Sequence, residues 1–181
     1  FHKGGCYIAA TKYKSDDFQP LIFKTEDYGV TWKKITSGIA TDHFTRAVCC
    51  DTKIQGLLYA GTENGMYIST NDGKLWKPFN QNLPQVPITD LTIKDVDLIV
   101  ATQGRSFWIL DDLTRIHYFL QNKEQTNKEF FLIKPRDTWR LNSYVITSST
   151  EGENPLPGVV INFYIDKKNQ KKPAELSFYD T

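Results

Sequence analysis

The chain has 181 residues, with 22 lysines and arginines against 21 aspartates and glutamates, a net charge of +1, and 40% apolar residues. That length suits one domain or one and a half, and the balanced charge excludes a strongly basic nucleic-acid binder and a polybasic membrane patch. Apolar runs such as 98–101 and 159–161 are far too short to span a bilayer.

In chain order, Phe1 stands where an initiator Met would, and no signal-peptide pattern follows, so the sequence reads as a fragment or a processed product. An internal repeat comes next. Residues 21–32 (LIFKTEDYGVTW) match residues 65–76 (GMYISTNDGKLW), with Trp32 and Trp76 44 positions apart. Upstream, 7–11 (YIAAT) matches 58–62 (LYAGT), and a third copy appears at 98–102 (LIVAT) and 106–110 (SFWIL). The middle copy predicts four short strands, at 45–51, 57–61, 66–70 and 75–79. Asn64-Gly65 marks a hairpin in which both residues take positive φ. Asn71-Asp72-Gly73 marks the next turn, and Pro84 discourages further pairing. The third copy predicts strands at 89–94, 98–102, 107–110 and 116–120. Very little helix is expected, because no stretch keeps a 3.6-residue period over three turns. A period in the low forties, built of four short strands and turn residues, is the signature of a β-propeller blade.

The repeat then fades. Residues 121–129 read as a polar loop and 130–133 as a short strand. Residues 148–158 have linker composition, with Gly152, Pro155, Pro157 and Gly158. Residues 159–165 and 174–179 alternate on either side of a charged tip and read as one hairpin. A lone hairpin is marginal in water, so it reads as the opening of a second β domain over 159–181. The three cysteines, Cys6, Cys49 and Cys50, form no disulfide framework and have no zinc spacing. They are expected as buried or half-buried thiols, with Cys49 and Cys50 on opposite faces of a strand.

The repeated turn has a physical logic. In Thr25-x-Asp27-x-Gly29-x-Thr31-Trp32, the aspartate bonds backbone N–H groups of its own turn, and Gly29 takes a left-handed conformation at low cost. The hydroxyls add side-chain-to-backbone bonds, and Trp32 is expected to pack a large apolar surface. The second copy is Ser69-x-Asn71-x-Gly73-x-Leu75-Trp76, and the third has lost the motif at Leu110-Asp111-Asp112. This pattern resembles the Asp-box, or BNR repeat, of sialidase-type, sortilin-type and xyloglucanase-type propellers. Asp16-Asp17-Phe18, Phe44-Thr45-Arg46, the 57–63 segment (LLYAGTE) and the 104–112 segment (GRSFWILDD) are similar to the final blades of bacterial sortilin-like BNR proteins, often named glycosyl hydrolases by similarity. The resemblance covers about residues 5–165. It implies an all-β fold: about three four-stranded blades over 1–147, a linker over 148–158, and the start of an immunoglobulin-like β-sandwich over 159–181. It also implies a secreted or cell-envelope protein whose partners are the remaining blades of a parent chain and a peptide, protein or glycan ligand. No cofactor or metal and no nucleic-acid partner is implied.

Candidate site residues follow from strand alternation. The Asp-box residues Thr25, Asp27, Gly29, Trp32, Ser69, Asn71, Gly73 and Trp76 read as structural, because their polar groups are consumed within the turn. Asp72 is set aside with them. The opposite end carries the loops 12–20, 62–65, 102–106, 37–44 and 81–87. The first is long for a tight repeat and holds Tyr13, Asp16, Asp17 and Phe18. Glu63 and Arg105 come from the next two equivalent turns, and Arg46 opens an inner strand. Tyr13 offers an aromatic platform, Asp16, Asp17 and Glu63 offer carboxylates, and each arginine either holds a carboxylate or sugar hydroxyls or pairs structurally. His43 reads as a loop residue in preference to a general base. The favoured function is a binding module. The alternative is a glycoside hydrolase using loop carboxylates such as Asp16, Asp17, Asp42 and Glu63, for which two must flank the scissile bond.

Overall fold

The computed structural model describes residues 2–124, 128–138, 158–171, 173, 175–177 and 179. They divide into two compact units, Phe1–Leu113 and Thr114–Thr181. The expected division at 148–158 lies, but for Gly158, outside the described residues.

The first unit is all β. Sheet 1 consists of β1 (Cys6–Lys12), β2 (Asp17–Thr25) and β3 (Lys33–Lys34). Sheet 2 consists of β4 (Thr45–Cys50), β5 (Leu58–Thr62), β6 (Gly65–Ser69) and β7 (Lys77–Pro78). Sheet 3 consists of β8 (Ile88–Lys94), β9 (Asp97–Thr102) and β10 (Phe107–Leu110). Neighbouring strands are consecutive in sequence and antiparallel. Connections this short allow only antiparallel hairpins.

The two repeated turns share a bond pattern. Thr25 Oγ1 accepts the Gly29 N–H at 3.0 Å, and Asp27 Oδ1 accepts the Thr31 N–H at 2.8 Å. Ser69 Oγ accepts the Gly73 N–H at 3.0 Å, and Asn71 Oδ1 accepts the Leu75 N–H at 2.9 Å. The β5–β6 connection differs from expectation. Its two-residue turn is Glu63-Asn64, and Gly65, at φ +105°, opens β6. A Cβ on Gly65 would lie 2.4 Å from Asn80 Oδ1, which accepts the Met66 N–H at 2.7 Å.

The sheets lie face to face. β4 lies against β1 and β2, and β8 lies against β4 and β5. Ile22, Ile35 and Ile39 pack on Leu58, Ala60, Tyr67 and Trp76 of sheet 2. Trp76 Nε1 donates to the Ile35 carbonyl at 2.7 Å, and the Trp76 N–H donates to the Ser37 carbonyl at 2.9 Å. Sheet 3 comes equally close: a Cβ on Gly61 would sit 2.6 Å from Ile88 Cγ2. Trp76 is therefore fully buried, at 1% exposed, whereas Trp32 is 43% exposed and donates only to the Gly29 carbonyl of its own turn. The expected packing role is thus filled by the second tryptophan and not by the first.

The second unit contains α1 (Thr114–Gln121), β11 (Phe130–Ile133) and β12 (Asn162–Ile165). Residues 116–120 were expected as a strand and are helical. An apolar run of this length fits either state. The helix lets Tyr118 and Phe119 both meet Phe131, at 5.7 and 5.8 Å between ring centroids. β12 pairs with β11, with Phe131 opposite Tyr164 and their rings stacked at 5.0 Å. The expected partner, 174–179, forms no strand among its described residues. The 130–133 strand, assigned to the propeller segment on sequence, is thus joined to the 159–165 segment by aromatic burial. Among the described residues no helix is long and apolar enough to cross a membrane.

Candidate functional site

The predicted 12–20 loop is mostly strand. β1 and β2 extend toward each other, and a single 3₁₀ turn, Tyr13–Ser15, joins them with Asp16 in the left-handed region at φ +57°. That turn puts Tyr13 beside Phe44, with the rings stacked at 5.1 Å, while Phe18 tilts against Phe44 at 6.1 Å. Phe44 is buried; Tyr13 and Phe18 remain 37% and 48% exposed.

Arg46 reaches this cluster because the β4–β5 register shifts between Thr45 and Ala47. A bulge of this kind re-aims the extra residue's side chain. The guanidinium lies 5.2 Å from the Phe44 ring centroid and 5.8 Å from that of Tyr13, within cation–π range. Arg46 Nε donates to Glu63 Oε2 at 2.6 Å. The Glu63 N–H donates to the Phe44 carbonyl at 3.0 Å, which holds the turn beside the ring. The result is a half-exposed aromatic platform backed by a guanidinium whose orientation is fixed by a carboxylate.

Tyr13, Arg46 and Glu63 are therefore brought together. Asp16, Asp17 and Arg105 share no hydrogen bond, ion pair or ring contact with them. Asp17 Oδ1 accepts the Gln19 N–H at 3.1 Å, which is turn chemistry. Arg105 is exposed; its N–H donates to Thr102 Oγ1 at 3.2 Å and its carbonyl accepts from Trp108 Nε1 at 2.9 Å. Its guanidinium has no hydrogen bond or ion pair among the described residues. Strand alternation keeps its turn at the Tyr13 end. His43 is tied to the core: a hydrogen bond of 2.8 Å joins its Nδ1 to the hydroxyl of buried Tyr67. Phe44 is the member that sequence reasoning passed over; Phe18 is noted in the loop but not put forward as a ligand-binding residue. A large aromatic immediately before an inner strand was the available signal.

The opposite end holds a second group of polar contacts. Asp72, expected to serve only its own turn, accepts hydrogen bonds from the Tyr7 hydroxyl and Lys24 Nζ, both on sheet 1. Burial pushes the Asp72 carboxyl up, but the hydrogen bonds from Lys24 and Tyr7 and the Lys24 charge outweigh it, and its pKa is lowered. A cavity of about 350 Å³ lies there, lined by Tyr7, Lys24, Asp72, Cys6 and Cys50 among others. The cysteines depart from expectation: Cys6 and Cys50 are exposed, and only Cys49 is half-buried. Burial raises the Cys49 thiol to about 11, so it stays protonated at neutral pH. In the first repeated turn, hydrogen bonds from the Thr31 hydroxyl, the Thr31 N–H and the Thr25 hydroxyl hold Asp27 down at about 2.

No model of a known family matches the chain, and no curated protein matches it. Among the described residues no group of His, Cys, Asp and Glu is placed to hold a metal ion.

Proposed function

We propose that the first unit is a run of blades from a BNR-type, sortilin-like β-propeller, and that it works as a secreted or cell-envelope binding module for a peptide, protein or glycan. The stacking of successive antiparallel sheets at a period in the low forties supports the propeller reading. The observation that carries the binding reading is the Tyr13–Phe44–Arg46–Glu63 cluster. Three chain segments converge there on an exposed aromatic face with one fixed cation. Sugars and peptides stack on such faces and bond to guanidinium groups. A phosphate-rich polymer would call for several free cations, and here the cation is already paired.

The test is titration calorimetry of the chain against neutral and acidic oligosaccharides and against a set of short peptides. Tyr13→Ala should weaken whichever class binds by at least about tenfold, a loss of roughly 1.4 kcal/mol. Asp27→Ala, in the turn at the other end, should leave the affinity of the folded protein unchanged. Equal affinity for Tyr13→Ala and the unmodified chain, or a loss confined to Asp27→Ala, would move the site away from this cluster.

A further inference from the structure

Arg46 and Glu63 are paired without being used up by each other. A guanidinium has five N–H donors. The Nε of Arg46 is taken by Glu63 Oε2, and its Nη groups make no hydrogen bond among the described residues. Glu63 Oε1 accepts none among them either. The two side chains stay 23% and 32% exposed, so spare donors and a spare acceptor remain within reach of solvent beside the rings of Tyr13 and Phe44. All four residues belong to sheets 1 and 2 of the first unit or to their turns.

The pair also sets the charge of this face. At 2.6 Å, Glu63 cancels the cation that lies against the rings. The adjoining 12–17 segment carries Lys12 and Lys14 against Asp16 and Asp17, so it adds no net positive charge. A ligand carboxylate or sulfate reaches Arg46 only against the repulsion of Glu63, and like charges held side by side turn a partner away. A neutral ring meets no such opposition. A pyranose lays a flat C–H face on an aromatic ring, and each of its hydroxyls both donates and accepts. Two neighbouring hydroxyls can therefore serve Glu63 Oε1 and an Arg46 Nη together. A trans peptide group points its N–H and C=O to opposite sides, so a single one cannot.

Resting on the binding-module reading above, we infer that Glu63 is the specificity residue of this face, which takes an uncharged sugar ring on Tyr13 and excludes glycans that bear a carboxylate or sulfate. Glu63 acts in two ways. Its Oε1 accepts a sugar hydroxyl, and its charge occupies Arg46 and keeps it from anions. The bond from the Glu63 N–H to the Phe44 carbonyl, at 3.0 Å, fixes the turn that carries the carboxylate to the residue that floors the ring stack. Removing the carboxylate charge turns Arg46 into a free guanidinium, the ordinary partner of a carboxylate or sulfate.

The experiment is a glycan array that sets neutral oligosaccharides beside the same chains bearing a uronate carboxylate or a sulfate, with calorimetry on the members that bind. The unmodified chain should bind neutral members and take their charged counterparts at least about tenfold more weakly. In Glu63→Gln that ratio should fall at least about tenfold, and adding Arg46→Ala should abolish the gain in charged binding. A purely structural role for Glu63 would weaken both classes alike and leave the ratio where it was. Far-UV circular dichroism checks folding, and Glu63→Ala replaces a glutamine variant that fails it. Equal or tighter binding of charged members by the unmodified chain, a ratio that Glu63→Gln leaves unchanged, or a gain that survives the loss of Arg46 overturns the inference. So does a chain that binds no glycan: Tyr13-dependent binding of the short peptides then leaves the binding-module reading standing, and its absence removes both.

Discussion

Trp32 and Trp76 occupy equivalent places in two copies of one motif, and the structure gives them different energetic weights. Trp76 is 1% exposed, packs with Ile22, Ile35, Ile39 and Leu58, and donates its indole N–H to the Ile35 carbonyl. Trp76→Ala leaves a cavity between sheets 1 and 2 and an unpaired carbonyl. The expected cost is about 3–5 kcal/mol. With about 4 °C of Tm per kcal/mol for a unit of this size, that is a fall of about 12–20 °C. Trp32 is 43% exposed and its indole bond is local. Trp32→Ala should therefore cost only about 1–2 kcal/mol, in proportion to the smaller area it removes from water. Urea unfolding followed by circular dichroism measures both. Equal losses for the two variants would refute the argument, because they would place Trp32 in a buried setting too.

The remaining predictions touch other parts of the molecule. Asp27 is held near 2 against an ordinary 3.8, so its contribution to stability is complete above about pH 4 and is lost as pH falls toward 2. Thermal melts of Asp27→Asn should show a shallower fall over that window than the unmodified chain; parallel curves would discount the carboxylate. At the matching position the second turn carries Asn71, which does not titrate, so the acid dependence of that turn comes from Asp72, whose pKa is also lowered. The Tyr59 hydroxyl is buried and has no hydrogen-bond partner among the described residues, and burial raises its pKa. Tyr59→Phe removes that polar group and should stabilise the unit by about 1 kcal/mol or leave it unchanged, whereas a clear loss in urea unfolding would reveal a bond to solvent. Arg105→Ala should weaken ligand binding by about 1.5–3 kcal/mol if its free guanidinium closes on a carboxylate or sugar, and unchanged affinity would leave that role to Arg46.

Features governed by local chemistry were legible in the sequence. A turn such as 25–32 closes on itself, since its hydroxyl, carboxylate and glycine act within a few residues. The repeat could therefore be found, the strands of its middle copy placed to within about two residues, and Asp27 and Asn71 recognised as turn builders. Strand alternation likewise puts the turns that carry Tyr13, Glu63 and Arg105 at one end.

Tertiary structure decided what depends on partners distant in sequence. The repeat in the sequence sets Tyr7 against Leu58, one residue off the paired register, in which Cys6 corresponds to Leu58, and a slip of one reverses every face of a strand. Which tryptophan is buried depends on whether a neighbouring sheet covers it, and identical motifs say nothing of that. The bulge that turns Arg46 onto Phe44 is set by β5 pairing. Residues 116–120 become helix because Tyr118 and Phe119 meet Phe131, and β12 chooses β11 because Tyr164 stacks there. Turns are fixed by bonds a few residues long, whereas faces, registers and partners are fixed by which apolar surfaces are removed from water together. That choice belongs to the whole fold.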